Sequence, residues 1–172
     1  AAALMRQYFT EGYYPSGTKT VTDVRKPLGM ELKATLMNGT SFIPLTPGFV
    51  TGWGRVWLDN NLFFTGEASS RDLRNFALTK ENGVATGETH TYQVQVGAGQ
   101  EFRATLAWFD PPAGLATGVS LVNNLNLEVQ EGANTYLGNV ITGTGAAAVS
   151  TVGGTADVLN NVEQVRFTAP VA

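Results

Sequence analysis

Nucleophilic and metal-assisted chemistry draws on a short menu of side chains, and this sequence supplies little of it. It holds one histidine, His90, and no cysteine among 172 residues. Thiolate catalysis, Cys-built zinc sites and disulfides are thereby excluded. A triad needs a nucleophile, a base and an orienting acid, so a triad confined to this chain must use His90. That residue sits in Glu88-Thr89-His90-Thr91-Tyr92, where a strand is expected to begin, and reads as a strand-end surface residue. The fourteen acidic residues are scattered, and no pair stands out for acid–base work. No residue here is assigned a catalytic role, and the chain alone is expected to be inactive.

A second set of polar residues falls on the inward phase of expected strands. Asp110 shares the parity of Phe102, Leu106 and Trp108; Asn123 shares that of Leu125, Leu127 and Val129; Asn161 and Glu163 share that of Val165 and Phe167. A buried carboxylate without a partner costs several kcal/mol, so Asp110 and Glu163 need company. Two arrangements meet that need. One is a hydrogen-bond network to loop amides. The other is a hard cation such as Ca²⁺ on Asp110, Asn123, Asn161 and Glu163, since calcium takes roughly 6–8 oxygen ligands. Both stay open at this level.

The elements that must position these residues change character along the chain. Ala1–Phe9 strings together helix formers, with Leu4, Met5, Tyr8 and Phe9 on one face. Gly12 ends that helix. A second helix is expected from Pro27 to Met37, with Leu28, Leu32 and Leu36 as its stripe and Asn38-Gly39 as its stop. A Pro/Gly/Thr-rich loop over Gly39–Gly54 and a short helix or turn over Val56–Leu62 follow.

From about residue 67 the period switches to two. Tyr92–Val96, Phe102–Trp108, Leu125–Val129 and Val165–Phe167 read as half-buried strands, with Gly97-Ala98-Gly99 as a hairpin turn. Thr142–Thr155, small and nearly uncharged, reads as a long mobile surface loop. The expected fold is mostly β: an antiparallel sandwich or jelly roll over 67–172 behind a small helical segment over 1–66.

Composition narrows function further. The net charge of −3 and the absence of a Lys/Arg cluster give no footprint for nucleic acid. No apolar run approaches the ~20 residues needed to span a bilayer. Ala1–Arg6 has no signal-peptide pattern.

Four ordered segments carry a family resemblance. Ala1-Ala2-Ala3-Leu4-Met5-Arg6-Gln7-Tyr8-Phe9 is similar to the back half of the long central helix of subtilisin-like serine proteases. Glu31-Leu32-Lys33-Ala34-Thr35-Leu36-Met37-Asn38-Gly39 is similar to the helix that follows it. Gly52-Trp53-Gly54-Arg55-Val56-Trp57-Leu58-Asp59 resembles the Gly-x-Gly-Arg-Val-x-Leu motif that closes the catalytic domain. Leu106-Ala107-Trp108-Phe109-Asp110, Leu121-Val122-Asn123-Asn124-Leu125-Asn126-Leu127, Tyr136-Leu137-Gly138-Asn139 and Asn160-Asn161-Val162-Glu163 resemble a series in the C-terminal jelly roll of large alkaline subtilases. Asn124 and Asn126 stand where that family often has Asp, which lowers the charge available to a cation.

The resemblance implies that 1–66 is the end of an α/β subtilase catalytic domain and that the jelly-roll-like part lacks its last strands. It implies a secreted parent endopeptidase acting on protein substrates through a Ser–His–Asp triad. The serine would lie roughly two to three helical turns before Ala1. Structural calcium is implied too, since family members often bind it. The chain's partner would be the remainder of the catalytic domain, with Trp53 and Trp57 docking the sandwich. The rival reading is a non-enzymatic β-sandwich binding or adhesion module, marked by an exposed aromatic strip.

Overall fold

The computed structural model describes residues 1–44, 51–67, 71–115 and 118–170. Residues 45–50 of the expected 39–54 loop lie outside the described residues. So do 68–70, beside the expected boundary at 66/67, and 171–172. The fold is mostly β, with antiparallel sheets behind a small helical segment.

Helix α1 spans Ala2–Thr10 and α2 spans Gly29–Asn38. Gly12 ends α1 in the left-handed region, φ 76°. There the Tyr13 amide donates back to the Tyr8 carbonyl at 3.0 Å, a bond that spans the last turn. Helix α2 opens with the Glu31 carboxylate accepting from the Leu28 amide at 3.3 Å. Met5, Tyr8, Phe9 and Leu73 form a buried cluster, joined by Leu32 and Leu36 of α2 and by Tyr13, Tyr14, Leu58 and Leu62. The apolar stripe of α2 therefore faces α1 as its spacing requires, except that Leu28 stays 42% exposed at the helix mouth. Val56–Leu62 contains one 3-10 turn, Leu58–Asn60.

Five strands follow: β1 Glu101–Ala107, β2 Glu128–Glu131, β3 Asn134–Thr142, β4 Val149–Val152 and β5 Val162–Thr168. β1 pairs with β5, from Glu101 opposite Thr168 to Ala107 opposite Val162. β2, β3 and β4 form a second antiparallel sheet. Tyr136 of β3 stacks on Phe167 of β5 with centroids 4.5 Å apart, so the two sheets meet through these rings.

The segments expected to be half-buried strands fare differently. Phe102–Trp108 and Val165–Phe167 form as β1 and β5. Leu125–Val129 pairs only from Glu128 onward. Tyr92–Val96 joins no strand, and Tyr92 and Val94 stay 45% and 48% exposed. The Gly97–Gly99 turn still forms, with the Gln100 amide donating to the Gly97 carbonyl. The Gly99 amide turns to the Ala169 carbonyl instead of to a hairpin partner.

Thr142–Thr155 is not one long surface loop. It holds a 3-10 turn, Gly145–Ala147, and β4, with Ala148 and Ser150 buried. Its small side chains allow β4 to lie close against β5. The Ser150 hydroxyl accepts from the Arg166 amide at 3.0 Å, and the Asn139 side chain accepts from the Gln164 amide and donates to the Val162 carbonyl. Side chains thus satisfy the edge of β5 that no strand covers. Ser150→Ala leaves the buried Arg166 amide unpaired. It should lower unfolding free energy by about 1–2 kcal/mol in urea titration, with the slope unchanged.

Candidate functional site

Strand β5 is the hub of the molecule because it is buried on both faces. Glu163, Val165 and Phe167 face the β2–β3 side, as alternation predicts. Gln164 and Arg166 are buried as well, under the helical segment. Gln164 Nε2 donates to the Met37 carbonyl of α2 at 3.0 Å. Arg103 of β1 donates to the carbonyls of Asn38 (3.2 Å) and Thr40 (3.1 Å), placing a cation at the C-terminal end of α2. The Thr105 hydroxyl donates to Asn38 Oδ1 at 2.9 Å. Helix α2 is thus clamped to the β1–β5 sheet by polar contacts to its last turn. Trp57 is not buried in this junction. Trp57 is 44% exposed, and its indole nitrogen donates to the adjacent Asp59. Docking runs through α2, because the sheet's second face needs cover and the last-turn carbonyls of α2 need donors.

The opposite face of α2 is tied to α1. The buried Glu31 carboxylate accepts two hydrogen bonds from Arg25 and one from Asn75 Nδ2 at 2.8 Å. Arg25 in turn lies over the rings of Phe9 and Tyr14, at 4.5 and 4.8 Å. Burial pushes the Glu31 pKa up, but Arg25, Asn75 and the Leu28 amide outweigh it and hold it below the usual range. The contacts hold α1, α2 and the sheet in fixed relation.

His90 pairs with Glu88 across 3.0 Å at the surface. Three of the four metal candidates meet around Trp108. Asp110 accepts from the Val122 amide (2.7 Å), the Asn123 amide (2.8 Å) and Asn123 Nδ2 (2.9 Å). The buried Trp108 donates its indole N–H to the Asn123 carbonyl. Asn161 Nδ2 donates to the Trp108 carbonyl, and Asn161 Oδ1 accepts from Lys33 of α2 at 3.1 Å. Burial lowers the Lys33 pKa.

Glu163 stands apart from this network. It is 1% exposed, and its Oε2 accepts from the Leu127 amide at 2.6 Å. Its Oε1 has no hydrogen-bond partner among the described residues. Gly138 lies flat against it: a Cβ there would overlap the carboxylate and sit 2.6 Å from the Glu163 Cβ. Burial raises the Glu163 pKa to about 7, with a small further push from Asp157. Among the described residues, no three His, Asp or Glu side chains are grouped to hold a metal ion.

Sequence reasoning missed Arg25, Glu31, Asn75 and Arg103. The Glu31 position three residues after Leu28 is a legible helix-start signal, but nothing in the sequence pairs it with Arg25 or Asn75.

Two relatives give this geometry a context. The chain is 30% identical, over 97% of its length, to serine protease/ABC transporter B family protein tagA of Dictyostelium discoideum. It is 24% identical, over 98% of its length, to the tagD protein of the same name and organism. The chain spans about a tenth of the length of these curated relatives, 10% and 12%. No protein-family model and no solved structure matches it. No helix among the described residues is long and apolar enough to cross a membrane.

Proposed function

We propose that this chain is the C-terminal scaffold of a secreted subtilisin-like serine endopeptidase. In this reading α1 is the distal half of the helix whose upstream half carries the nucleophilic serine. The observation that carries it is the double anchoring of α2. Arg25 and Glu31 bind α2 to the α1 side, and Arg103 and Gln164 bind its last turn to the sheet. A nucleophile must be held within a fraction of an ångström of its base, and packing beneath its helix supplies that rigidity. Near end-to-end similarity to a segment of proteins named serine protease supports the same reading. The Asp110–Asn123–Asn161 network, and not calcium, closes the Trp108 end of the sandwich in this proposal. Three N–H donors already serve the Asp110 carboxylate, two on Oδ1 and one on Oδ2.

The test is the parent coding sequence, followed by expression. A Gly-Thr-Ser-Met-Ala-like run roughly two to three helical turns before Ala1 is expected. The intact protein should hydrolyse casein and react at that serine with a fluorophosphonate, and residues 1–172 alone should do neither. A signal peptide placed directly before Ala1 overturns the proposal, as does serine-dependent hydrolysis by the isolated chain.

A non-enzymatic binding module is the second reading. It is favoured by one feature, the exposed stacked pair Phe76 and Tyr92, with centroids 4.3 Å apart.

A further inference from the structure

Three arginines converge on one carboxylate at the junction of the helical segment and the sheets. Glu101 accepts from Arg103 Nε at 2.5 Å, and lies 2.8 Å from Arg71 Nη1 and 3.4 Å from Arg166 Nη2. One negative charge faces three positive ones, a surplus of two. Two of the three arginines lie below the surface, since the Arg103 and Arg166 side chains are 8% and 7% exposed, and Arg71 is partly exposed. Arg166 cannot swing away. Its guanidinium lies 4.9 Å over the buried Phe42 ring, and its backbone amide is held by Ser150. Its Nη1 is buried and has no hydrogen-bond partner among the described residues. A guanidinium does not shed its proton in proteins, so the imbalance persists as a cost of folding. Burial, with Arg103 and Arg71 adding repulsion, weakens the hold of Arg166 on its charge.

Beside the cluster is a pocket of about 240 Å³. Glu101, Arg103 and Arg166 line it, with Ser41 and Thr168 contributing two hydroxyl-bearing residues and Val149 an apolar wall. A water needs roughly 10–15 Å³ of such space, so a small polyatomic anion fits easily. We propose that this pocket binds a doubly charged tetrahedral oxyanion, sulfate or phosphate, which neutralises the two surplus guanidinium charges. Arginine forks match such oxygens in pairs. Ser41 bridges to Arg55 in the helical segment, and Glu101 and Thr168 pair across β1 and β5. A bound anion therefore ties the helical segment to the sheet.

The test is thermal unfolding of the chain in sodium sulfate against sodium chloride at matched ionic strength, which separates binding from screening. Parallel titrations with inorganic phosphate and with phosphoserine distinguish a free anion from a phosphoryl ester. Sulfate should raise the midpoint saturably, by about 3–6 °C at ten times its Kd. Arg71→Gln removes one surplus charge at a half-exposed position and should weaken sulfate affinity at least threefold. Ser41→Asp supplies an internal anion; it should raise the midpoint without sulfate and blunt the response to it. Equal midpoints in sulfate and chloride overturn the proposal, as does an unchanged sulfate response in both variants. Isothermal titration calorimetry on the wild-type chain gives an independent reading, and absence of saturable heat overturns it equally.

Discussion

Between pH 4.5 and about 7 the chain should lose about 2–3 kcal/mol of stability, and the Glu163→Gln variant should not. The bounds are the ordinary glutamate pKa and the raised folded value. The cause is burial. Glu163 is 1% exposed, one carboxylate oxygen has a single amide donor, and the other has none among the described residues. The charged neighbour that acts on it is Asp157, which repels it. In this pH window the folded chain keeps a proton that the unfolded chain releases, so stability falls as pH rises. It is fully present below the unfolded pKa and is lost through the folded one. Each tenfold difference in proton affinity between the folded and unfolded chain corresponds to about 1.4 kcal/mol. For a chain of this size the whole loss is a midpoint change of roughly 5–10 °C. Glutamine imitates the protonated acid at every pH. Calorimetric scans from pH 4 to 8 should therefore show wild type falling away from Glu163→Gln as pH rises. Parallel curves would sink the prediction. Glu31, Glu101 and Asp157 act with the opposite sign and in a lower window. Their pKa values are held down, so their contribution is lost only as pH drops below the usual carboxylate range.

Arg25→Ala should destabilise the helical segment by about 3 kcal/mol. Removing Arg25 leaves the Glu31 carboxylate buried with only Asn75 and the Leu28 amide to serve it. Loss of one partner of a buried pair typically costs about 3–5 kcal/mol. The lower end applies because Arg25 itself is about a third exposed. The stacking of Arg25 on Phe9 and Tyr14 disappears as well. The double variant Arg25→Ala/Glu31→Gln should recover part of the loss, since it removes the stranded charge. Urea denaturation of the two variants decides this. Equal instability would mean that Arg25 acts by packing alone.

Local pattern carried the helices. Small and apolar residues at Ala1–Phe9 and the Leu32/Leu36 spacing place α1 and α2 within two residues of their observed bounds, because intrinsic preference and the buried face agree there. Alternation located β1 and β5 for the same reason. It failed at Tyr92–Val96, where the required pairing partner is a separate piece of chain that local pattern cannot supply. It did not register β3, Asn134–Thr142. In the fold Gly138 makes room for Glu163, and Asn139, at φ 62°, serves the bare edge of β5.

The limit on triad chemistry was legible from a count: one histidine and no cysteine need no coordinates to interpret. Inward parity also marked Glu163 correctly as buried, but Asn123 is exposed, and Asp110 and Asn161 are only partly buried. What parity could not state is that Gln164 and Arg166 are buried too, because α2 and the Thr40–Phe42 segment cover the second face of β5. That cover comes from residues more than a hundred positions away. It gathers Arg71, Arg103 and Arg166 on Glu101, and it leaves the cluster two positive charges in excess. Residue type is written locally, but burial and charge balance are sums over neighbours that only the folded chain brings together.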